Sequence, residues 1–433
     1  MKIVDSVENK QTNNTIVDDG IELISIEDNK HNTNRISINL CMNINEKDVS
    51  ANAILPFLLT HATKKYPTTV SFERHLSKLY GASLHADIRK LGKIQILSIS
   101  ISAIDSRFSL ENENLLKECV DVLKEVLFNP FIDKSGFNED YIKQEKRCLV
   151  ELIESELNEK RVYALNKCQQ IMFEGTALAI GKYGTIEKVN ALTNKDIYEA
   201  WQNVLEKSKV YIMMVGSNDA APVISEFKNE FSKIKRNKIE IDNQIEIQRK
   251  SKINEITERI NVNQAKLVLG FNIEKKDENT FPETVMTALF GGTPHSRLFL
   301  NVREKKSLCY YCAATFDRNK RMMLVDSGLE EKNKNEAVSE ILKQLEFLKN
   351  GEFTDEELSF AKLNLINSFK TATDYQSSLE GYYISQITNK EIISLLEAAK
   401  KINEVTKYEI IEAANRVTLD TIYLLSGEVE EDI

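Results

Sequence analysis

Apolar residues recur at helical spacing along two long stretches of the chain. Between Asn114 and Phe128 they fall at Leu115, Leu116, Cys119, Val122, Leu123, Val126 and Leu127, the stripe of an amphipathic helix. Phe137-Asn138-Glu139-Asp140 follows and opens a second, long helix. The same order returns later, with a stripe at Ala337, Val338, Ile341, Leu342, Leu345 and Leu348, then Phe353-Thr354-Asp355-Glu356 ahead of another long helix. In both places a short polar residue directly before two acidic ones matches helix N-terminal chemistry, where a side-chain oxygen accepts from free backbone N–H groups.

The repetition continues downstream. Val189-Asn190-Ala191-Leu192-Thr193 leads to a helix and a strand from Val210 to Val215, ending at Gly216. Ile402-Asn403-Glu404-Val405-Thr406 leads to a helix and a strand from Thr421 to Leu425, ending at Gly427. The halves are thus offset by a little over two hundred residues. Further strands are expected at Ile36–Leu40 and Ile94–Ile101 in the first half, and at Leu267–Ile273 and Met322–Val325 in the second. Adjacent strands mixed irregularly with helices favour an α+β layer architecture over a doubly wound parallel sheet. Residues 235–261, dense in Lys, Glu, Asn and Arg with scattered Ile, predict a linker with one edge strand between a first domain at 1–234 and a second at 262–433.

Composition narrows the function classes. A chain of 433 residues with 42% hydrophobic and 28% charged residues can bury large cores. Its net charge of −9 disfavours sequence-independent nucleic-acid binding, which needs a basic face. No apolar run of about 18 residues predicts a membrane span, and Met1–Glu8 lacks a signal-peptide core, so a cytoplasmic protein is expected. The six cysteines lack a disulfide-framework spacing and read as reduced thiols. The lone pair Cys309 and Cys312 lies in an aromatic, strand-like segment and reads as structural, and Cys148 and Cys168 have no His nearby. His61, Glu73, His75 and His85 contain no i, i+4 ligand pair, so exposed polar roles are expected for them. Gly291 and Gly292 do not form a phosphate loop, and close packing or a tight turn is expected there.

The most informative stretch runs from Ala288 to Tyr311: ALFGGTPHSRLFLNVREKKSLCYY. Gly-rich residues precede a helix carrying Arg303, and Tyr310 follows seven positions later. This block resembles the second-half signature of the pitrilysin and mitochondrial-processing-peptidase family of zinc peptidases, the inverzincins. In that family the metal sits in the first half, on a helix reading His-x-x-Glu-His, where two His share one face and the Glu activates the bound water.

This chain has no such motif. At the corresponding place it reads Pro56-Phe57-Leu58-Leu59-Thr60, with Pro56 and Thr60 at the two His positions and Leu59 at the Glu. The family's third ligand is a Glu on a later helix. Here the segment Glu145–Ile153 places Leu152 at that position, and a slip of one residue would offer Glu151. Packed apolar groups are the expected filling of an emptied metal site.

The resemblance covers nearly the whole chain. It implies two homologous α+β domains facing one another as a clamshell, no metal in this chain, and a zinc-bearing homologue as its heterodimer partner. Arg303 and Tyr310 would then donate hydrogen bonds to the scissile carbonyl as it becomes an oxyanion in the partner's site. The implied substrate is a short or unstructured polypeptide, and the sequence leaves open whether the chain forms a homodimer when the partner is absent. Two alternatives stand beside this reading. One is a structural or peptide-binding scaffold in which Arg303 makes an ordinary ion pair and Tyr310 is a core aromatic; the other is a self-sufficient peptidase with an unrecognised metal site.

Overall fold

The computed structural model describes residues 4, 7, 8, 10–133, 136–217, 219–241, 245 and 252–427. Its first half contains strands β1 (Thr12–Asp18), β2 (Ile21–Glu27), β3 (Thr33–Asn43), β4 (Ser83–Leu91) and β5 (Ile94–Ile104), a short ribbon of β6 (Ile132–Asp133) and β7 (Gly136–Phe137), and β8 (Lys209–Gly216). Helices α1 (Val49–Leu59), α2 (Thr69–Lys78), α3 (Leu115–Phe128), α4 (Glu139–Asn158), α5 (Lys160–Met172), α6 (Ile186–Ala191), α7 (Asn194–Lys207) and α8 (Ala221–Phe231) complete it. Six of these strands form one sheet in the order β1-β2-β8-β3-β5-β4.

The second half carries β9 (Asn254–Arg259), β10 (Ala265–Ile273), β11 (Tyr311–Asp317), β12 (Met322–Leu329) and β13 (Val417–Ser426), which form a sheet in the order β11-β12-β10-β13-β9. Its helices are α9 (Phe281–Thr287), α10 (Lys334–Lys349), α11 (Asp355–Ala372), α12 (Gln376–Ile384), α13 (Leu395–Glu404) and α14 (Lys407–Asn415). The architecture is mixed α+β, as the sequence indicates. β9, from the segment expected to link the halves, lies at the edge of the second sheet and runs parallel to β13. Residues 242–244 and 246–251 of that segment lie outside the described residues, as do 1–3 at the start of the chain.

The helices begin where the sequence places them. Asn114 Oδ1 accepts from the Lys117 N–H at 3.1 Å and Asn138 Oδ1 from the Asp140 N–H at 2.9 Å. Thr193, Thr354 and Thr406 each close a reciprocal capping box with the acidic residue three positions on. β13 starts at Val417, earlier than the apolar run suggests, because Val417–Leu419 pair with Ile273–Phe271 beyond a bulge at Gly270/Phe271.

Period-two alternation sets the first sheet's faces. Ile36, Ile38 and Leu40 pair across with Ile101, Ile99 and Leu97, and this face packs on first-half helices, among them α1, α3, α7 and α8. The intervening Ser37, Asn39 and Ser98 are buried on the opposite face, where Asn39 Nδ2 donates to Ser37 Oγ (2.9 Å) and Oδ1 accepts from Ser98 Oγ (2.8 Å).

Each sheet has a second face that its own half does not cover. On the second sheet, Leu267, Leu269 and Phe271 face the second-half core, while Val268, Leu324, Tyr423 and Leu425 pack against Ala164, Cys168 and Met172 of α5. Gly270 leaves room for that approach: a Cβ there would lie 2.2 Å from Met172 Sδ and 3.1 Å from Cys168 Sγ, so the Met172 side chain would have to move. Arg161 at the start of α5 meets Asp326 at 2.5 Å. In the other direction, α12 from the second half lies against β8. Gln376 Nε2 donates to the Thr33 carbonyl (2.7 Å) and the Val215 carbonyl (3.1 Å), and Arg35 meets the fully buried Glu380 at 2.5 Å. Among the described residues no helix is long and apolar enough to cross a membrane.

Two stability predictions follow from these contacts. Arg35→Met leaves the Glu380 carboxylate buried without its cation and is expected to cost ~3–5 kcal/mol in urea unfolding, most of it recovered when Glu380 is also replaced by Gln. Asp105, just after β5, is buried, which pushes its pKa up, but hydrogen bonds from the Ser217 hydroxyl, Arg107 and Asn34 win and hold it at about 2, below its ordinary 3.8. Its contribution is therefore fully present above the unfolded value and is lost as pH falls through the folded one. The stability gap between the protein and Asp105→Asn should be constant near neutrality, narrow below about pH 4, and close near pH 2.

Candidate functional site

Two regions are candidates, and they lie on different sheets. The first is the junction of α1 and α4 beneath the first sheet. Pro56 sits inside α1 and Leu59 ends it, both buried, while Thr60 caps it by donating its hydroxyl to the carbonyls of Phe57 (2.8 Å) and Pro56 (3.1 Å). None of the three offers a metal ligand or a base: Pro56 and Leu59 carry hydrocarbon, and the Thr60 proton is engaged with the helix.

On α4 the buried residues are Ile142, Glu145 and Leu149, which follow helical spacing. Leu152 is 39% exposed, which corrects the expectation that it packs into an emptied metal site. Glu151 does not substitute for it, since its side chain is 64% exposed and lies 3.5 Å from Arg147.

The polar group that does occupy this junction is His61, immediately after the α1 cap. Its Nε2 lies 2.6 Å from Glu145 Oε1, and its ring stacks on Tyr141 with centroids 4.7 Å apart. The expected exposed role for His61 is corrected: the imidazole is half-buried and bridges the two helices, because Glu145, one helical turn beyond Tyr141, points inward and needs a partner. No sequence spacing announces a pair separated by 84 positions. His75 likewise stacks on Tyr66, at 4.4 Å. Among the described residues no group of three or more His, Cys, Asp or Glu side chains is arranged to hold a metal ion, so the donor set here does not fit a catalytic zinc.

The second region is the block from Ala288 to Tyr311, held against the second sheet. Its helical turns are wide: Ala288–Gly292 and Phe299–Lys305 are both π-helical. Gly291 lies within the first of them rather than in a loop. A Cβ there would come within 2.7 Å of Ala314 Cβ, so glycine lets the segment lie directly on β11. Arg297 pins the middle of the block, with Nε donating to Gln344 Oε1 (3.1 Å) and a terminal nitrogen donating to the Glu352 carbonyl and to Glu357, both at 3.0 Å.

Arg303 stands on the second π-helical turn. The chain then turns at Ser307, which adopts a left-handed φ of 51°. There the Ser307 N–H donates to the Arg303 carbonyl (3.0 Å) and the Leu308 N–H to the Val302 carbonyl (3.1 Å). Leu308 and Val302 are buried, and the Tyr310 N–H donates to the Gly328 carbonyl at 2.8 Å, so the turn is anchored at both ends.

The two side chains remain outside the core. Tyr310 is 58% exposed and the Arg303 side chain 40%. The Arg303 guanidinium lies 4.7 Å from the Phe299 ring centroid and 3.5 Å from Glu304. Nearby, the exposed carboxylate of Glu330 is held below its ordinary pKa mainly by Lys332, with a smaller contribution from Tyr310. Its neighbour Tyr311 is oriented differently, under the Arg161 guanidinium at 4.7 Å, with burial pushing its phenol up to about 12. Of the two adjacent tyrosines, Tyr310 is therefore the one able to reach a ligand. Both Cys309 and Cys312 are buried, Cys148 is half-buried on α4 and Cys168 is buried on α5. Burial pushes the Cys148 thiol up, which makes it a poor nucleophile.

Residues 191–365 match a family model described as the Peptidase M16 inactive domain. The chain is 29% identical over 410 residues to a probable inactive metalloprotease, YmfF, of Bacillus subtilis (strain 168), covering 94% of this chain and 96% of that one. It is 23% identical over 400 residues to a non-peptidase homologue, YmxG, of Helicobacter pylori, covering 82% and 89%. Its structure superposes on the crystal structure of a conserved protein from Enterococcus faecalis V583 with a TM-score of 0.88 and 29% identity, over 97% of this chain and all of that one.

The His61 bridge generates a prediction. His61→Ala strands the buried Glu145 carboxylate and is expected to cost ~1–3 kcal/mol in urea unfolding. Because the two side chains pair with one another across the helix junction, adding Glu145→Gln should cost clearly less than the sum of the single changes.

Proposed function

We propose that this chain, which belongs to the M16 (pitrilysin) peptidase family as one of its inactive homologues, is the non-catalytic subunit of a heterodimeric zinc peptidase and lends Arg303 and Tyr310 to its partner's site. The observation that carries this reading is a separation within the chain. Arg303 and Tyr310 project from an anchored turn on the second sheet, while the place where a metal would sit lies under the first sheet and holds no ligand set. Among the described residues no hydrogen bond or ion pair joins the two regions. A pair of donors so presented has chemical use only if a reacting carbonyl is supplied from elsewhere.

The roles follow from the side chains. Arg303 brings a permanent cation and Tyr310 a neutral hydroxyl, and both interactions strengthen as the substrate carbonyl oxygen gains negative charge. Their present contacts are weak competitors: Glu304 and Glu330 are exposed, and ion pairs in water contribute little. Zinc, its bound water and the base would come from the partner subunit. The substrate is a short or unstructured polypeptide, the pair works in the cytoplasm, and the two-domain shell excludes folded proteins. A scaffold of the same fold is the second reading. It is favoured by the local partners that Phe299, Glu304 and Glu330 already give the two side chains.

Peptide hydrolysis by this chain alone, by a zinc-bearing M16 homologue from the same organism, and by the mixture separates these readings. Cleavage is expected from the mixture alone, with Arg303→Ala lowering its kcat by ~10²–10³, equivalent to about 2.7–4 kcal/mol of lost transition-state stabilisation. A mixture indifferent to Arg303→Ala and Tyr310→Phe would mark the chain as a scaffold.

A further inference from the structure

A cleft of about 920 Å³ opens where the two halves meet, away from both candidate regions. The β4–β5 turn contributes one wall, and the β11–β12 turn, α9, α13 and the loop after α12 contribute the others. Its size falls in the range of small-molecule sites, which typically span ~300–1,000 Å³.

The lining is chemically two-sided. Phe281, Phe316, Phe369 and Tyr382 present four half-buried aromatic rings, an apolar floor. Around them stand Lys93, Lys275, Arg318, Arg321, Lys390 and Lys401, six cations against the two carboxylates Glu278 and Glu391. In a chain whose net charge is −9 this is a local reversal of sign.

Lys275, Lys390 and Arg321 have carboxylate partners, which they share. Glu278 is shared between Lys275 (2.8 Å) and Lys390 (3.9 Å). Glu283, just behind the wall, is shared between Arg321 (3.2 Å) and Arg416 (3.0 Å). Arg321 is 5% exposed and its Nε is buried without a hydrogen-bond partner. Arg318 gives its hydrogen bonds to the neutral Ser385, at 3.0 Å to the carbonyl and 2.9 Å to the hydroxyl. Burial pulls both guanidinium groups below the ordinary arginine value, against the opposing pull of Glu283 and Asp277 on Arg321 and of Tyr382 and Asp317 on Arg318.

Like charges gathered in a partly desolvated cleft repel one another, and a bound anion relieves that repulsion. Rings set beside them favour an anion with a flat body rather than a simple inorganic ion. We propose that this cleft binds a nucleoside polyphosphate, its base against the rings and its phosphates along the cations. Because both halves line the cleft, the bound ligand also holds them together and raises the stability of the whole chain by mass action.

The test uses the purified full-length protein, titrated calorimetrically with ATP, and separately with adenosine and with inorganic triphosphate. ATP is expected to bind with a Kd of about 0.1 mM or tighter in low salt, and adenosine and triphosphate at least ~10-fold more weakly. Raising the salt should weaken ATP binding, and ATP should raise the melting temperature. The variant Lys390→Glu/Lys401→Glu reverses two exposed charges and should lose binding ~10-fold or more while melting unchanged without ligand. If that variant melts early, Phe369→Leu provides the second test, with weakened ATP binding and unchanged triphosphate binding expected. Absence of binding at millimolar ATP, equal affinity for ATP and triphosphate, or a charge-reversed variant that binds as well as the parent would each overturn the proposal.

Discussion

Neither sheet can leave a face in water, and this constraint governs the molecule. β10 and β12 are buried along almost their whole length, and so is β8, so a single layer of helices on one side leaves apolar surface unmet on the other. The halves solve this by exchange: α5 leaves the first half to cover the second sheet, and α12 leaves the second half to cover the first. Each transfer is fixed by a polar lock at its margin, Arg161 with Asp326 in one direction and Arg35 with Glu380 in the other. Gly270 marks how close the first of these helices must come. Everything placed at the edges of the sheets, including the block ending at Tyr310, inherits its position from this packing.

The contrast between the two candidate regions is a contrast in how polar groups are spent. At the α1–α4 junction the inward carboxylate of Glu145 is taken up by His61, and the Thr60 hydroxyl by the helix carbonyls. At the end of the Arg303 turn the reverse holds. The backbone is fully tied down, through Ser307, Leu308 and Tyr310, while the side chains are tied only to neighbours already bathed in water. Rigid main chain with loosely committed side chains is the arrangement expected where binding a partner or substrate matters more than stability.

Much of this was legible in the sequence, because the signals were local. Stripes such as Leu115 to Leu127 are settled by helical periodicity, and the caps at Asn138, Thr193, Thr354 and Thr406 by side chains acting within three residues of themselves. The spacing of Arg303 and Tyr310 survives as geometry for the same reason, being set by one turn. What was not legible depends on contacts between distant segments. The polar composition of β1 hides a strand that exists because β2 is already held by β8. The outward Leu152, the inward Glu145 and the exchange of α5 and α12 follow from which surface each helix meets, and no short window of residues records that. The wide turns of the Ala288–Lys305 block, the first of which lies on β11 through Gly291, are likewise recorded in no short window of residues.

The position of β13 bears on how the protein comes into being. It lies between β10 and β9 in the second sheet, yet it is the last of those strands along the chain. A ribosome therefore releases β9, β10, β11 and β12 well before the strand that joins the first two, and β10 waits with one edge unpaired through the synthesis of α10 to α14. The first sheet can pair all its strands once β8 has emerged, but its outer face stays open until α12 arrives. Synthesis thus carries the chain through a long interval with an open strand edge and an uncovered apolar face, the two surfaces most prone to wrong association. For this fold, the exposure to wrong association falls in the stretch of translation between β8 and β13.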